Sequence, residues 1–520
     1  MSVGQPVRYR AALGPLLALL SSAALAAQEP PPGIGLLDAV RVTLAMDPVI
    51  HAQDQVLEAA RGGLLAAQGQ FDPVPSAELR YQHNATPLTQ FQRLNGLNFL
   101  KGDTVIYQVA MDQQFRSGLR VTPSLGMTRN QDNSSNSSAP HIAAVNLNIT
   151  IPLARGRGER AVAAREKAAE AEYQASTLEL WHTISGSIAK TTAAYWNYRA
   201  ATGALAAFAE AEARLRELLD NSQKLAEADE MPPADLKQYE SQLATATASR
   251  IGAEQALVES RQALGLAMGL PFAEIATLPP PSDDFPPIDG RNSVDPFKID
   301  WLVEDGLRRR NDLKAAERRL EAAESLLAAA RNNTLPQVDL SLDVGYQGLS
   351  EGNGFDNAFT GFTNNVGGVN AGASLRYRWP IYNRTAEGNV VQGQANLQGI
   401  AINKANLART ISSDILVAAN NLGNGLAQLR QAQAATESIR VAFENEKKKK
   451  RLDMSTSIDV LLIQTLLTNA TIDEVNAYGN YAAALVRLCF ATATLFAPDK
   501  EAQDIDWQQL TTLPSAGTGR

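Results

Sequence analysis

The sequence predicts a mixed α and β fold, mainly α, in which an internally duplicated unit joins a strand pair to long coiled-coil helices in each half. Three observations predict it: landmarks that recur in one order, short segments of period-two alternation, and two long stretches free of proline. Leu57–Pro73 aligns without a gap on Leu320–Pro336 at an offset of 263, Val145–Leu153 on Ala373–Ile381 at 228, and Asp229–Leu236 on Asp453–Val460 at 224. The drop from 263 to 228 puts 35 extra residues between the strand markers of the first half, whereas the helical parts differ by about one turn.

Arg8 and Arg10 precede the apolar run Ala11–Leu25, which closes on the small triplet Ala24, Leu25 and Ala26. This is the pattern of a secretory signal peptide over 1–26, cleaved after Ala26. Ala27 at the cut offers no thiol for lipidation, so any membrane attachment must come from the fold.

The first repeat occupies 27–270: a rising helix to about 70, strands at about 74–152, a long helix at about 153–228, a tip at about 229–233 and a return helix at about 234–270. Period-two alternation is clear where Ala143, Val145, Leu147, Ile149 and Ile151 alternate with Asn146, Asn148 and Thr150. Leu79 and Tyr81 mark a weaker strand. Thr104–Asn130 also alternates, at Val105, Tyr107, Val109 and Met111, and holds the turn Ser117–Gly118; it is either an added hairpin or an external loop. Asn133–Ser138 reads as exposed.

Pro152 and Asp229 are 77 residues apart and Pro380 and Asp453 are 73 apart, with no proline between, which makes room for helices of roughly 110 Å. Trp181, Ile184, Ile188, Thr191, Tyr195, Tyr198, Thr202 and Leu205 step by three and four, the spacing of a coiled-coil seam. Pro279–Pro281 and Pro286–Pro287 exclude helix from Pro271–Asp295, and 271–299 is a Pro-rich linker between the halves. The second repeat, 300–497, has a rising helix to about 333, strands at about 336–380, a long helix at about 384–452, a tip at about 453–457 and a return helix at about 458–496. Its strands alternate at Val338, Leu340, Leu342, Val344 and Tyr346, and at Ala371, Ala373, Leu375, Tyr377 and Trp379. A tail covers 498–520.

Strands of about ten residues with one apolar face and aromatic ends fit a lipid-facing barrel with a polar lumen, although a half-buried sheet carries the same alternation. The longest apolar stretch beyond residue 26, Ala482–Ala497, is interrupted by Arg487, Thr492 and Thr494, so a membrane crossing would use strands. Four strands cannot close a barrel, since bacterial barrels need about eight or more, and the chain should oligomerise to close one.

A net charge of -8 with no dominant basic stripe excludes a nucleic-acid partner. Cys489 is the sole cysteine and reads as a small buried helix residue. Gly348–Gly352 spells GxSxG but lacks the strand, sharp turn and helix of a nucleophile elbow. There is no HExxH, P-loop or cysteine pair, and His51, His83, His141 and His182 are scattered, so the sequence offers no catalytic, cofactor or metal site.

The order and spacing of Leu37–Pro48, Ile151–Leu153 with Arg155–Gly158, Leu335–Gly348, Trp379–Ile381 and Ser457–Leu461 resemble the TolC-like outer membrane efflux protein family over nearly all of the chain after residue 26. The resemblance implies a homotrimer whose four strands per protomer close a twelve-stranded transmembrane β-barrel in outer-membrane lipid, above a periplasmic α-helical tunnel. It also implies a periplasmic adaptor (membrane fusion protein) at the tunnel's tip and an inner-membrane transporter that supplies the energy. The chain would then be a passive export conduit and not an enzyme; the competing class is a periplasmic structural or adaptor coiled coil without a pore.

Site expectations concentrate at the tips. Asp229, Glu230, Asp235, Asp453 and Asp459 are candidate gate or tip residues: Asp229, Glu230, Asp453 and Asp459 for an acidic ring at the periplasmic mouth, with Asp235 and Asp459 equally readable as solvated helix N-caps. The family often places Gly six residues before the tip Asp, where this chain has Asp229 and Asp453, and Asp tolerates the left-handed turn conformation. Lys447, Lys448, Lys449, Lys450 and Arg451 are a candidate adaptor contact or a solvated helix face.

Overall fold

The computed structural model describes residues 33–91, 93, 96–133, 139–228, 233–288, 299–352, 360–363, 366–452, 454–495 and 507–513. The signal-peptide reading and most of the Asn133–Ser138 loop lie outside them.

Helices α1 (Leu36–Met46) and α2 (Pro48–Gln68) rise in succession, split where Asp47 accepts a hydrogen bond from the Val49 backbone N–H and Pro48 starts the next helix. Strands follow: β1 (Val74–Pro87), β2 (Phe99–Gln114), β3 (Arg120–Asp132) and β4 (Pro140–Pro152). The one-turn α3 (Glu159–Val162) leads into α4 (Ala164–Glu227), about 96 Å of continuous helix, and α5 (Pro233–Ala267) returns along it. The helix starts later than Pro152 alone would allow because Gly156 and Gly158 turn the chain at positive φ, +79° and +88°.

The linker contains one helical turn, α6 (Phe272–Ala276), contrary to the expectation that it is wholly non-helical. Pro271 ends one helix and stands at the N-cap of the next, a place where its missing N–H costs nothing. The second half has α7 (Ile299–Arg309), α8 (Asn311–Asn332), β5 (Gln337–Glu351), β6 (Gly367–Arg378), α9 (Arg384–Arg451, about 102 Å) and α10 (Ser457–Ala491). Residues 507–511 of the tail form α11 (Trp507–Thr511).

All six strands lie in one antiparallel sheet in sequence order. This corrects the expectation of a strand pair in each half: the first half carries four strands. The extra residues are β2 and β3, a hairpin inserted between β1 and β4. Their alternation was half legible, because Pro123 interrupts the apolar series Val121, Leu125 and Met127 on β3 and Gly126 leaves a gap on the opposite face.

The main core lies where α1, α4, α7, α9, α10 and the linker meet. The α4 seam is buried from Ile184 through Ile188 and Thr191 to Tyr195 and Tyr198. Trp196 is fully buried, edge-on to Tyr195 at 5.1 Å and to Trp507 of the tail at 6.2 Å, with Phe285 of the linker 5.7 Å away. The linker is pinned as well: the Tyr195 hydroxyl donates to Asp283 Oδ2 (2.9 Å), and that carboxylate accepts the Leu36 N–H (2.6 Å). Cys489 is buried beside Thr512, and burial pushes its thiol up to about 12, which makes it inert.

The β2–β3 turn is a tight backbone junction. Gly118 sits at φ +95°, and a Cβ there would lie 2.1 Å from the Gly156 carbonyl oxygen. Gly118→Ala should therefore destabilise the protein by roughly 1–3 kcal/mol, read as a lower melting temperature in detergent, whereas Gly62→Ala, whose Cβ would meet nothing within 4 Å, should not.

Candidate functional site: the two-faced sheet and the helix tips

Register converts the strand alternation into two surfaces. Leu79 pairs with Tyr107, Tyr107 with Met127, Met127 with Ala143, Leu147 with Val344, Leu340 with Leu375 and Val338 with Tyr377, so one face is apolar across all six strands. It is open: Leu79 is 71 % exposed, Val109 55 %, Val344 53 % and Leu375 66 %. The opposite face carries Glu78, Arg80, Gln108, Asp112, Thr122, Asn148, Asp339, Ser341, Asp343 and Arg376. Polar side chains bond across it, Asn148 Nδ2 to Asp343 Oδ1 at 2.6 Å and Thr122 Oγ1 to Asp112 Oδ1 at 3.4 Å. An exposed apolar face of this extent, backed by a polar one, inverts the arrangement of a sheet on a soluble core.

The sheet's two edges are unpaired among the described strands, β1 on one side and β6 on the other. The helices joined to them are bare in the same sense. In α2 only Ile50 is buried, and between Ala386 and Ile411 no residue of α9 is. Among the described residues no helix is long and apolar enough to cross a membrane.

Far from the sheet, α4 turns back through the first tip and α9 through the second. Asp229, Glu230 and Asp453 lie outside the described residues; Asp235 lies in the first turn of α5. Asp459 is exposed and forms a capping box with Thr456: its Oδ2 accepts the Thr456 N–H (3.0 Å) and hydroxyl (2.6 Å), while its own N–H donates to Thr456 Oγ1 (3.1 Å). The Thr456 hydroxyl, then its N–H, hold the Asp459 carboxyl below its usual range. Of the basic run, Lys447 pairs with Glu444 at 3.4 Å and lies over the Phe443 ring, and Lys449 pairs with Glu446 at 3.0 Å. Glu446 in turn accepts the Ser455 hydroxyl, at 2.5 Å, tying the end of α9 to the second tip.

Two ionic groups escaped the sequence reading. Glu212 of α4 is buried and holds Arg216 (2.8 Å), Thr247 (3.0 Å) and Arg250, so it locks α4 to α5 above the first tip. Only the Glu212–Arg216 spacing was visible in sequence; the partner across the hairpin was not. The second group joins α4 to α8. Arg310 donates to both oxygens of buried Asp312 (2.9 and 2.6 Å), His182 Nδ1 is 3.9 Å from Asp312, and Phe490 covers both the imidazole and the guanidinium.

Neither group resembles a reaction centre. Ser350 of GxSxG is a buried strand residue bonded to Thr360 Oγ1 at 3.0 Å, and among the described residues no cluster of His, Cys, Asp or Glu could hold a metal ion. What the chain presents is a wall.

Comparison with known proteins agrees with that geometry. Residues 302–494 match the family model described as outer membrane efflux protein. Over those residues the chain is similar to the outer membrane efflux protein family. Members of this family are passive conduits and not enzymes. The whole fold is similar to three solved channels. One is the Campylobacter jejuni CmeC outer membrane channel, at 16 % identity, TM-score 0.64, covering 92 % of this chain and 90 % of that one. Another is the Vibrio cholerae outer membrane protein VceC, at 15 % identity, TM-score 0.60, covering 88 % and 95 %. The third is the open state of the Neisseria gonorrhoeae MtrE outer membrane channel, at 16 % identity, TM-score 0.58, covering 88 % and 88 %. No curated protein matches the sequence significantly.

The half-buried His182 imidazole gives the helical body a pH dependence. Burial, opposed by the Asp312 charge, holds the His182 pKa below its usual 6.5. Burial is the largest influence on Asp312 and raises its pKa, but the Arg310 hydrogen bonds, the His182 and Arg310 charges and the Leu313 N–H together hold it below its usual range. Above pH 6.5 the imidazole is neutral in both folded and unfolded chains; below it the unfolded chain takes up a proton that the folded chain resists, so stability falls on acidification. His182→Gln should flatten the decline in melting temperature between pH 6.5 and the lower folded-state value. An unchanged profile would assign the titration to other groups.

Proposed function

We propose that the chain is one protomer of a passive homotrimeric export channel of the outer membrane. The six-stranded sheet supplies its share of a barrel in outer-membrane lipid, and the long helices form a tunnel through the periplasm. The observation that carries this reading is the exposed apolar face spanning all six strands, bounded by two unpaired edges. Water disfavours such a face, and lipid disfavours such edges, unless copies join edge to edge. Pairing β6 of one protomer with β1 of the next, and α9 with α2 beneath them, would meet both demands.

On this reading the two halves are a duplicated unit, and the tips of α4–α5 and α9–α10 face a periplasmic adaptor connected to an inner-membrane transporter. The exposed Lys447–Arg451 run is the adaptor contact, partly restrained by Glu444 and Glu446. The acids of the tips, Asp229, Glu230, Asp235, Asp453 and Asp459, ring the mouth and favour cations.

Fractionation and reconstitution test this directly. The protein should be extracted from outer membranes only by detergent, as a trimer, and should conduct in planar bilayers; a soluble monomer in the periplasm defeats the proposal and supports a structural coiled coil. In the same bilayers Asp453→Asn should lower cation selectivity and weaken divalent-cation block. If both are unchanged, the acidic ring is wrong while the channel stands.

A further inference from the structure

We infer that the β2–β3 hairpin sets the width of the channel. Resting on the trimeric reading above, it makes the barrel eighteen-stranded, as wide as the helical tunnel beneath, so that the outer-membrane section passes hydrophilic cargo far larger than a twelve-stranded barrel would admit.

The hairpin is part of the wall and not an ornament on it. β1 pairs with β2 over its whole length and β3 pairs with β4, while β1 and β4 are not paired with each other. Its alternation is in phase with its neighbours. Val105, Tyr107, Val109, Met111, Val121, Leu125 and Met127 continue the apolar face, and Gln108, Asp112, Arg120 and Thr122 continue the polar one. A loop folded over the barrel would not keep the parity of both flanking strands.

Its inner turn is also seated in the junction between sheet and helices. The Gly158 N–H donates to the Ser117 carbonyl (2.9 Å), and Arg116 holds both oxygens of Glu166 in the first turn of α4 (2.7 and 2.6 Å). The same guanidinium covers the Phe71 ring at the end of the first rising helix (4.7 Å), and Gln113 Nε2 donates to the Phe71 carbonyl (2.5 Å). The turn therefore bridges α2 and α4, occupying the arc between the strands those helices lead into.

Circumference explains why an arc exists to be filled. Beneath the sheet each protomer presents four helices in sequence of contact, α2, α4, α8 and α9. Twelve such helices, axes about 8–10 Å apart, close a ring of roughly 95–120 Å. A strand tilted by about 40° occupies about 6 Å of barrel circumference, so twelve strands span only about 75 Å but eighteen span about 110 Å. With the hairpin the two rings match. Allowing for inward side chains, the lumen widens from roughly 15 Å to roughly 25 Å, and the constriction moves down to the helix tips.

Ser341 tests the width. It lies on the polar face of β5, outside the hairpin and near the helix-proximal end of the strand. In Ser341→Cys the new thiol would be the accessible one, since Cys489 is buried. Intact cells producing this variant are treated from outside with a small membrane-impermeant maleimide or with a polymer-linked maleimide about 20 Å across, between the two lumen estimates. Labelling by both is expected. Labelling by the small reagent alone overturns the width inference and leaves the channel intact; labelling by neither overturns the channel reading and this inference together. Removal of Phe99–Asp132 from the Ser341→Cys chain keeps strand parity and should abolish polymer labelling while sparing the small reagent. Should that deletion fail to assemble, the two-reagent comparison on the intact chain decides alone.

Discussion

A backbone N–H or C=O left unpaired in hydrocarbon costs several kcal/mol, and this one constraint organises the proposed assembly. Within the chain the ladders β1 to β6 satisfy the inner strands, but among the described strands β1 and β6 each present an unpaired edge. Both edge strands are long, 14 and 12 residues, and the apolar residues Leu79, Tyr81, Leu375 and Tyr377 stand exposed beside them. In the proposed assembly each such edge is half of an interface. The bare flanks of α2 and α9, directly continuous with β1 and β6, extend the same two seams into the helical region.

The helical body solves a different problem, that of holding a structure about 100 Å long without a broad core. Its packing is concentrated in a girdle around Trp196, where α1, α4, α9, α10, the linker and the tail meet. Asp283 fastens the Pro-rich linker there by three hydrogen bonds, two with the Tyr195 hydroxyl and one with the Leu36 N–H, so the segment joining the halves is a strap and not a tether. Away from the girdle, lateral cohesion passes to isolated ion pairs such as Glu212–Arg250 and to small clusters such as Leu215, Tyr239 and Leu461. Stability is thus expected to decline from girdle to tips, which is where the proposed conduit would open.

How legible this was depended on whether the signal was local. β4, β5 and β6 could be read because alternation is a property of consecutive residues, and the α4 seam because three-and-four spacing is equally local. β3 was obscure because Pro123 faces the apolar side in the place of an aliphatic residue and Gly126 offers no side chain to classify. Whether the Thr104–Asn130 alternation was strand or loop depended on pairing with β1 and β4, which no short window reveals. The same holds for His182 and Asp312, 130 positions apart, and for Glu212 and Arg250. The tail was left without structure because α11 has five residues, too few for periodicity; its order comes from Trp507 docking on Trp196.

The tips show how local bonds narrow an electrostatic proposal. In sequence, Asp459 and Asp453 are equivalent candidates for a ring of charge. Asp459, however, spends one carboxylate oxygen on the Thr456 N–H and hydroxyl, bonds that start α10. A carboxylate already serving as an acceptor in a capping box holds an approaching cation less well than a free one, and its removal would also fray the helix. Lys449 does not neutralise it outright, being paired to Glu446 at 3.0 Å, and Glu446 is itself tied to Ser455. Within the proposed mouth, then, changing Asp459 would confound selectivity with helix stability.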